Sequence, residues 1–207
     1  ETRYHLRKAK LSVVGIPLRE ELTVAAKSLP PRESAAPAPF RLLIVGGSMG
    51  AHRLNEVAAE ALARLQKSGF GFSVVHLTGR ADETAIRAAY AAAGVQANVI
   101  AFTTYMAPLY HAADLAICRA GASTCAELAF FGVPALFVPY PSAAMDHQTA
   151  NARALEKRGT ADMVDESALT PEWLEAYLAQ TLRKPERLAR LREAARREGV
   201  KDVSAAL

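Results

Sequence analysis

Ser123, Thr124 and Glu127 follow a glycine turn, Arg119-Ala120-Gly121-Ala122, that breaks the apolar run Leu115-Ala116-Ile117-Cys118. Such a run suits a buried parallel strand, and the turn is where its crossover helix should begin. A helix N-terminus carries partial positive charge and unpaired N–H donors. The stretch from Ala122 through Ser123 to Thr124 is therefore a seat for a phosphate or diphosphate. Glu127 lies one turn further on. A carboxylate there repels phosphates and serves better as an acceptor for two sugar hydroxyls. Local chemistry supports equally a second reading, a favourable first-turn acid on a surface helix. Arg19, in Gly15-Ile16-Pro17-Leu18-Arg19, is either a phosphate partner or, the preferred reading of that segment alone, a solvated residue projecting from a turn. Asp146, His147, Gln148 and Asn151 head a helix after a loop of small residues. Asp146 reads as its N-cap, and His147 and Gln148 read as donors and acceptors for a polyhydroxylated ligand.

The elements that must hold these residues alternate strand and helix. Arg41–Val45 reads as a strand that runs into a second glycine turn, Gly46-Gly47-Ser48-Met49-Gly50-Ala51, and then into a helix reaching about Lys67. Glycines between a strand and a helix let backbone N–H groups approach an anion closely. Strands follow at 72–77 and 98–102, with a helix at about 82–93 between them and a short helix after Thr103 and Met106 that ends near Ala113. The 115–140 unit, the helix behind Asp146, a strand at 162–165, a helix capped by Thr170 and a basic helix from Pro185 complete the chain. The expected fold is α/β, a doubly wound, mainly parallel, Rossmann-like sheet. The GGSMGA turn, Thr103, the RAGAST turn and the Asp146–Gln148 segment all follow strands. They share the carboxyl rim, where such sheets bind ligands.

Two nucleotide-binding patterns are disfavoured. A dinucleotide fingerprint needs glycine where Val45 stands and an acid after the next strand, which instead ends in Thr78-Gly79-Arg80. No Lys-Ser or Lys-Thr pair follows the glycines, so the Walker pattern fails as well. Cys118 and Cys125 lack metal-ligand spacing and read as small buried hydrophobes in a reducing compartment.

With 51% hydrophobic and 22% charged residues, the 207-residue chain is composed like an ordinary globular domain and not like a disordered one. It has no apolar run of the roughly 20 residues that span a bilayer and no secretory signal pattern, which gives the expectation of a cytoplasmic protein. A net charge of +4 is too mild to imply nucleic acid. Much of the excess lies in Arg183, Lys184, Arg187, Arg190, Arg192, Arg196 and Arg197. A solvated helix face is the preferred reading of that cluster, with an anionic membrane surface as the other. Residues 1–39 read as a junction strand (Leu11–Gly15) and a connector with four prolines at 28–39; residues 40–207 read as the ligand-binding domain. The chain opens on Glu1 without a cap or hydrophobic period, so the expectation is a piece of something larger.

The ordered set GIPLR (15–19), GGSMGA (46–51), MAPLYHAAD (106–114), RAGASTCAE (119–127), GVPALFVPYP (132–141) and DHQTANA (146–152) resembles the donor-binding half of the MurG family of bacterial peptidoglycan glycosyltransferases. The resemblance implies the C-terminal domain of a GT-B fold. It also implies an inverting, metal-independent transfer of GlcNAc from UDP-GlcNAc to lipid I, with no cofactor and no nucleic-acid partner. Residue by residue, it implies that Arg19, Gly47 and Ser48 meet the donor diphosphate, and that Thr103 presents its backbone to the uracil. Ala122, Ser123, Thr124, Cys125, Ala126 and Glu127 would hold the phosphates and ribose, with Glu127 on the ribose hydroxyls, and Gln148 would hold the GlcNAc hydroxyls. Met106, Arg119, His147 and Asn151 are additional candidates around that site. Met49 departs from the glutamine usual in this turn. No catalytic residue is expected in this chain: the acceptor site, the membrane-facing patch and the proposed base belong to the family's N-terminal half. The full-length protein is expected to be peripheral on the inner face of the cell membrane. Two alternatives stand beside this: a non-catalytic nucleotide-sugar-binding subunit that needs a separate acceptor-domain partner, and a UDP-GlcNAc epimerase, which would require catalytic acids that the sequence does not reveal.

Overall fold

The computed structural model describes residues 16–30, 39–46, 51–141 and 146–199. In chain order the elements are α1 (Glu20–Ser28), β1 (Phe40–Val45), α2 (His52–Lys67), β2 (Phe72–Leu77), α3 (Glu83–Ala92), β3 (Ala97–Ile100), α4 (Ala107–Ala112), β4 (Leu115–Cys118), α5 (Ala122–Phe131), β5 (Ala135–Phe137), α6 (His147–Lys157), β6 (Ala161–Met163), α7 (Pro171–Arg183) and α8 (Pro185–Gly199). The six strands form one sheet in the order β3-β2-β1-β4-β5-β6, and every pairing is parallel. This is the doubly wound arrangement expected. Its switch point lies between β1 and β4, where the chain, having built outward to β3, crosses back to build the other way.

The central strands alternate their side chains between two apolar layers. Leu42 and Ile44 of β1, Leu115 and Ile117 of β4 and Leu136 of β5 face one side with α2, α3 and α7. Leu43, Ala116, Cys118, Ala135 and Phe137 face the other, with Leu22 of α1, Tyr110 of α4, Cys125 and Leu128 of α5 and Ala152 of α6. Helices thus cover both faces, which is why β4 is buried at every position. Each fully buried leucine or isoleucine contributes about 1.5–3 kcal/mol, so these two layers dominate the stability.

α8 packs against α5 and α7 and reaches the strands' amino ends. There the Asp114 carboxylate accepts from the Arg41 backbone N–H at 2.9 Å and from Arg41 Nε at 3.3 Å. Arg192 donates to the Asp114 carbonyl at 3.2 Å. Asp162 of β6 accepts from the Tyr177 hydroxyl at 2.7 Å and from Arg187 at 2.6 Å. Arg187 and Arg192 are therefore clamps, which corrects the reading of the basic cluster as a wholly solvated face. Burial pushes the Arg192 pKa down against the opposing pull of Asp114. α5 ends at Gly132, whose φ of 62° only glycine adopts readily; the Gly132 and Val133 N–H groups bond to the Ala129 and Leu128 carbonyls. A Cβ at Gly132 would also collide with the Arg196 side chain.

Several expectations need adjustment. β3 ends at Ile100 and not at Phe102, and β6 spans Ala161–Met163 and not 162–165. Arg19 does not project from a turn. It occupies the N-cap position of α1, an element that no apolar period had marked. Asp146 precedes α6 in the left-handed region (φ 53°) and makes no capping bond, because its backbone is not in the extended conformation that aims an N-cap side chain at the helix. Thr170 does cap α7, accepting from Trp173 N–H at 3.1 Å. The expected Leu11–Gly15 strand and residues 31–38 of the connector lie outside the described residues.

Candidate functional site

β1 and β4 lie side by side at the switch point, so the segments following them share one stretch of the carboxyl rim. Gly46 N–H bonds to the Leu77 carbonyl at 3.1 Å. A Cβ at Gly46 would lie 3.0 Å from the Ala51 nitrogen, so a side chain there would have to push the start of α2 back. Gly47, Ser48 and Met49 lie outside the described residues. After β4, Gly121 takes the N-cap position of α5 with extended backbone and has no side chain to cap with. The first amides of α5 are those of Ala122, Ser123 and Thr124, which have no carbonyl of their own helix to bond. Ala122 and Ser123 are exposed, Thr124 and Ala126 half-buried, and Cys125 buried. Burial pushes the Cys125 thiol up to about 12 and raises the Cys118 thiol well above its ordinary value, so both behave as apolar groups.

Glu127 is the sixth residue of α5 and is buried, which removes the reading of it as a first-turn surface acid. Its two oxygens are held differently. Oε1 accepts from Arg19 Nε at 3.2 Å and Nη2 at 3.1 Å, whereas Oε2 accepts from the Tyr110 hydroxyl at 2.8 Å. Arg19 is 47% exposed and so is neither buried nor simply solvated. Burial, then the neighbouring carboxylate, pushes the Tyr110 pKa far up, so its hydroxyl remains a donor.

The other candidates lie around this centre. Thr103 is half-buried, and its hydroxyl accepts from Tyr105 N–H at 3.0 Å. Its neighbours Phe102 and Tyr105 are exposed. Met106 is buried in the apolar layer around Tyr110. Gln148 Oε1 accepts from Tyr140 N–H at 3.0 Å, and Asn151 Nδ2 donates to the Ala120 carbonyl at 3.1 Å. These two bonds fasten the head of α6 to the loops after β5 and β4. Arg119 donates to the Val138 and Pro139 carbonyls at 3.1 and 3.3 Å, lies over the Tyr140 ring and pairs with Glu166. It braces the rim, since its donors are committed there. His147 is exposed beside Gln148.

Sequence reasoning missed Tyr110 and a buried network beside Gly46. Asn55 Nδ2 donates to the Thr78 carbonyl at 2.8 Å and to Asp82 at 2.7 Å. That leaves Asn55 Oδ1 only to accept, so His76 Nε2, at 3.0 Å, carries the proton, and His76 Nδ1 accepts from the Tyr90 hydroxyl at 2.9 Å. Burial lowers the His76 pKa from 6.5 to about 3 and keeps the ring neutral. An amide on the apolar stripe of α2 was the available signal.

Among the described residues, no group of three or more His, Cys, Asp or Glu side chains is placed to hold a metal ion. No helix among them is long and apolar enough to cross a membrane.

Residues 41–207 match the glycosyltransferase family 28 C-terminal domain. The chain is 43% identical, over 194 residues, to the UDP-N-acetylglucosamine–N-acetylmuramyl-(pentapeptide) pyrophosphoryl-undecaprenol N-acetylglucosamine transferase of Chromohalobacter salexigens; the match covers 94% of this chain and 53% of that protein. It is 45% identical over 198 residues to the transferase of the same name in Thiobacillus denitrificans, covering 96% and 52%. The crystal structure of Acinetobacter baumannii MurG superposes with a TM-score of 0.76 at 40% identity, covering 86% of this chain and 52% of that one. The chain spans about half the length of the curated relatives it matches. The family expected from the ordered motifs is thus the one found, and the chain belongs to the glycosyltransferase family 28 C-terminal domain family.

Proposed function

We propose that this chain is the donor-binding domain of an inverting, metal-independent glycosyltransferase, which transfers GlcNAc from UDP-GlcNAc to lipid I in peptidoglycan synthesis. The observation that carries this reading is the buried Glu127 carboxylate at the switch point, flanked by the uncapped start of α5 and by Arg19. A diphosphate takes the α5 amides and the half-exposed guanidinium, and a ribose takes Glu127 as acceptor of its hydroxyls. Thr103 presents backbone groups to the uracil. Gln148, with its oxygen engaged by Tyr140, offers its amide donors to the GlcNAc hydroxyls. Gly47 and Ser48 complete the diphosphate cradle.

In the transfer, a hydroxyl oxygen of the acceptor forms a bond to the anomeric carbon from the face opposite the UDP. The anomeric carbon–phosphate oxygen bond breaks, and its electron pair leaves on the diphosphate. The helix start and Arg19 offset that developing charge without a metal. The acceptor site, the base that takes the hydroxyl proton and the contact with the cytoplasmic face of the membrane belong to the rest of the enzyme.

Calorimetric titration with UDP-GlcNAc, UDP and GDP, with and without EDTA, tests the reading. Uridine-selective binding that is insensitive to the chelator is expected. Guanosine binding of equal strength, or binding abolished by EDTA, would refute it.

A further inference from the structure

Glu127 makes two contacts of different character, and only one of them can be given up to a ligand. Arg19 reaches Oε1 from a side chain that is 47% exposed, at the start of a helix whose single buried residue is Leu22. Tyr110 reaches Oε2 from inside the apolar layer, at 2% exposure, with its ring 5.5 Å from that of Phe131. The terminal torsion of a glutamate is broad, so a contact at one oxygen does not fix the other. A second, immobile contact is needed before the carboxylate can present a defined acceptor.

We propose that Tyr110 is a positioning residue for nucleoside recognition: its hydroxyl fixes Glu127 through Oε2, so that Oε1 is presented to the ribose hydroxyls while Arg19 exchanges onto the diphosphate. This rests on the reading of Glu127 as the ribose acceptor. The phenol is suited to the task because it stays protonated beside the carboxylate and can only donate to it. Arg19 is suited to exchange because an ion pair with one half-exposed partner is largely screened by water, and the diphosphate offers the guanidinium more charge.

Tyr110→Phe keeps the ring and its packing on Phe131 and removes only the hydroxyl. Wild type and variant are titrated with UDP and with 2′,3′-dideoxy-UDP. Wild-type preference for UDP over the dideoxy ligand checks the reading of Glu127; no preference removes that reading and the proposal with it. With the preference in place, Tyr110→Phe is expected to reduce it by about tenfold while dideoxy-UDP binds as before. An undiminished preference, or equal losses for both ligands, overturns the positioning role and leaves the ribose reading standing. Should Tyr110→Phe not fold, Glu127→Ala is compared with Glu127→Ala/Tyr110→Phe, in which no buried carboxylate is left without its donor. Equal UDP affinity for these two supports action through Glu127, and a further loss in the double variant overturns it.

Discussion

Each end of the sheet has an acidic side chain held by arginine, and the two are built differently. At the amino ends, Asp114 binds both the backbone and the side chain of Arg41, while Arg192 donates to the Asp114 carbonyl. Arg192 comes from α8, which is seated by the buried residues Leu188, Leu191 and Ala195. At the carboxyl ends, Glu127 has one rigid partner in Tyr110 and one half-exposed partner in Arg19. A solvent-screened ion pair contributes about 1 kcal/mol or less, which a bound diphosphate readily replaces. The amino rim therefore uses its charges to hold elements together, whereas at the carboxyl rim one partner of the buried acid stays half-exposed.

The largest effect expected is at the amino rim. Asp114→Ala leaves the Arg41 amide without its acceptor and removes the carboxylate that faces the Arg41 and Arg192 guanidinium groups; it should lower unfolding free energy by roughly 2–3 kcal/mol in urea denaturation, with UDP affinity of the folded variant unchanged. A parallel fall in affinity would show that the two rims are coupled. Glu127→Ala should do the reverse and weaken UDP binding by roughly 1–3 kcal/mol through lost charge-assisted hydrogen bonds. Unchanged affinity in calorimetry would remove Glu127 from the site and erase the contrast between the rims.

The His76 ring adds a third kind of support at the carboxyl rim, a neutral group buried between Asn55 and Tyr90. Its folded pKa of about 3 lies below the ordinary value of 6.5. The unfolded chain therefore binds the proton more readily, and the stability that the neutral ring contributes is complete above about pH 6.5 and lost as pH falls towards 3. The expected slope over that window is about 1.4 kcal/mol per pH unit, measurable as the change in urea midpoint between pH 7 and 5. His76→Gln keeps a polar side chain without the titration and should flatten this dependence. An equal slope in the variant would assign the acid sensitivity to other groups.

The two layers of the fold were legible because their strands are short, nearly continuous apolar runs of the kind that parallel strands covered on both faces require; β2 and β4 have the bounds that the sequence indicates. The carboxyl rim was legible because glycine turns after strands have few other uses. The partners within that rim were not. Arg19 and Glu127 lie 108 residues apart, and the packing of α1 on α4 brings them together. Read locally, Glu127 was open to being a surface acid, because its depth depends on α1 and α4 covering α5. Asp114 stood inside a motif whose resemblance pointed to function, yet the topology puts it at the opposite end of β4 from the glycine turn. Local chemistry proposes a role for a residue, and the rim it falls on decides whether that role is available.

Gln148 provides the finest test of that rule, because its side chain has a structural contact and a proposed ligand contact at once. Gln148→Ala loses both, and should weaken UDP-GlcNAc by about 1 kcal/mol more than UDP, one neutral hydrogen bond's worth. Gln148→Glu separates the two. A carboxylate still accepts from the Tyr140 N–H and so keeps the loop after β5 in place, but it has no donors for the sugar. If the amide acts on the sugar, titration of Gln148→Glu should show the same selective loss for UDP-GlcNAc with UDP unaffected. If its only task is to brace the loop, Gln148→Glu should bind both ligands as wild type does, and Gln148 would join Arg119 among the braces of the rim.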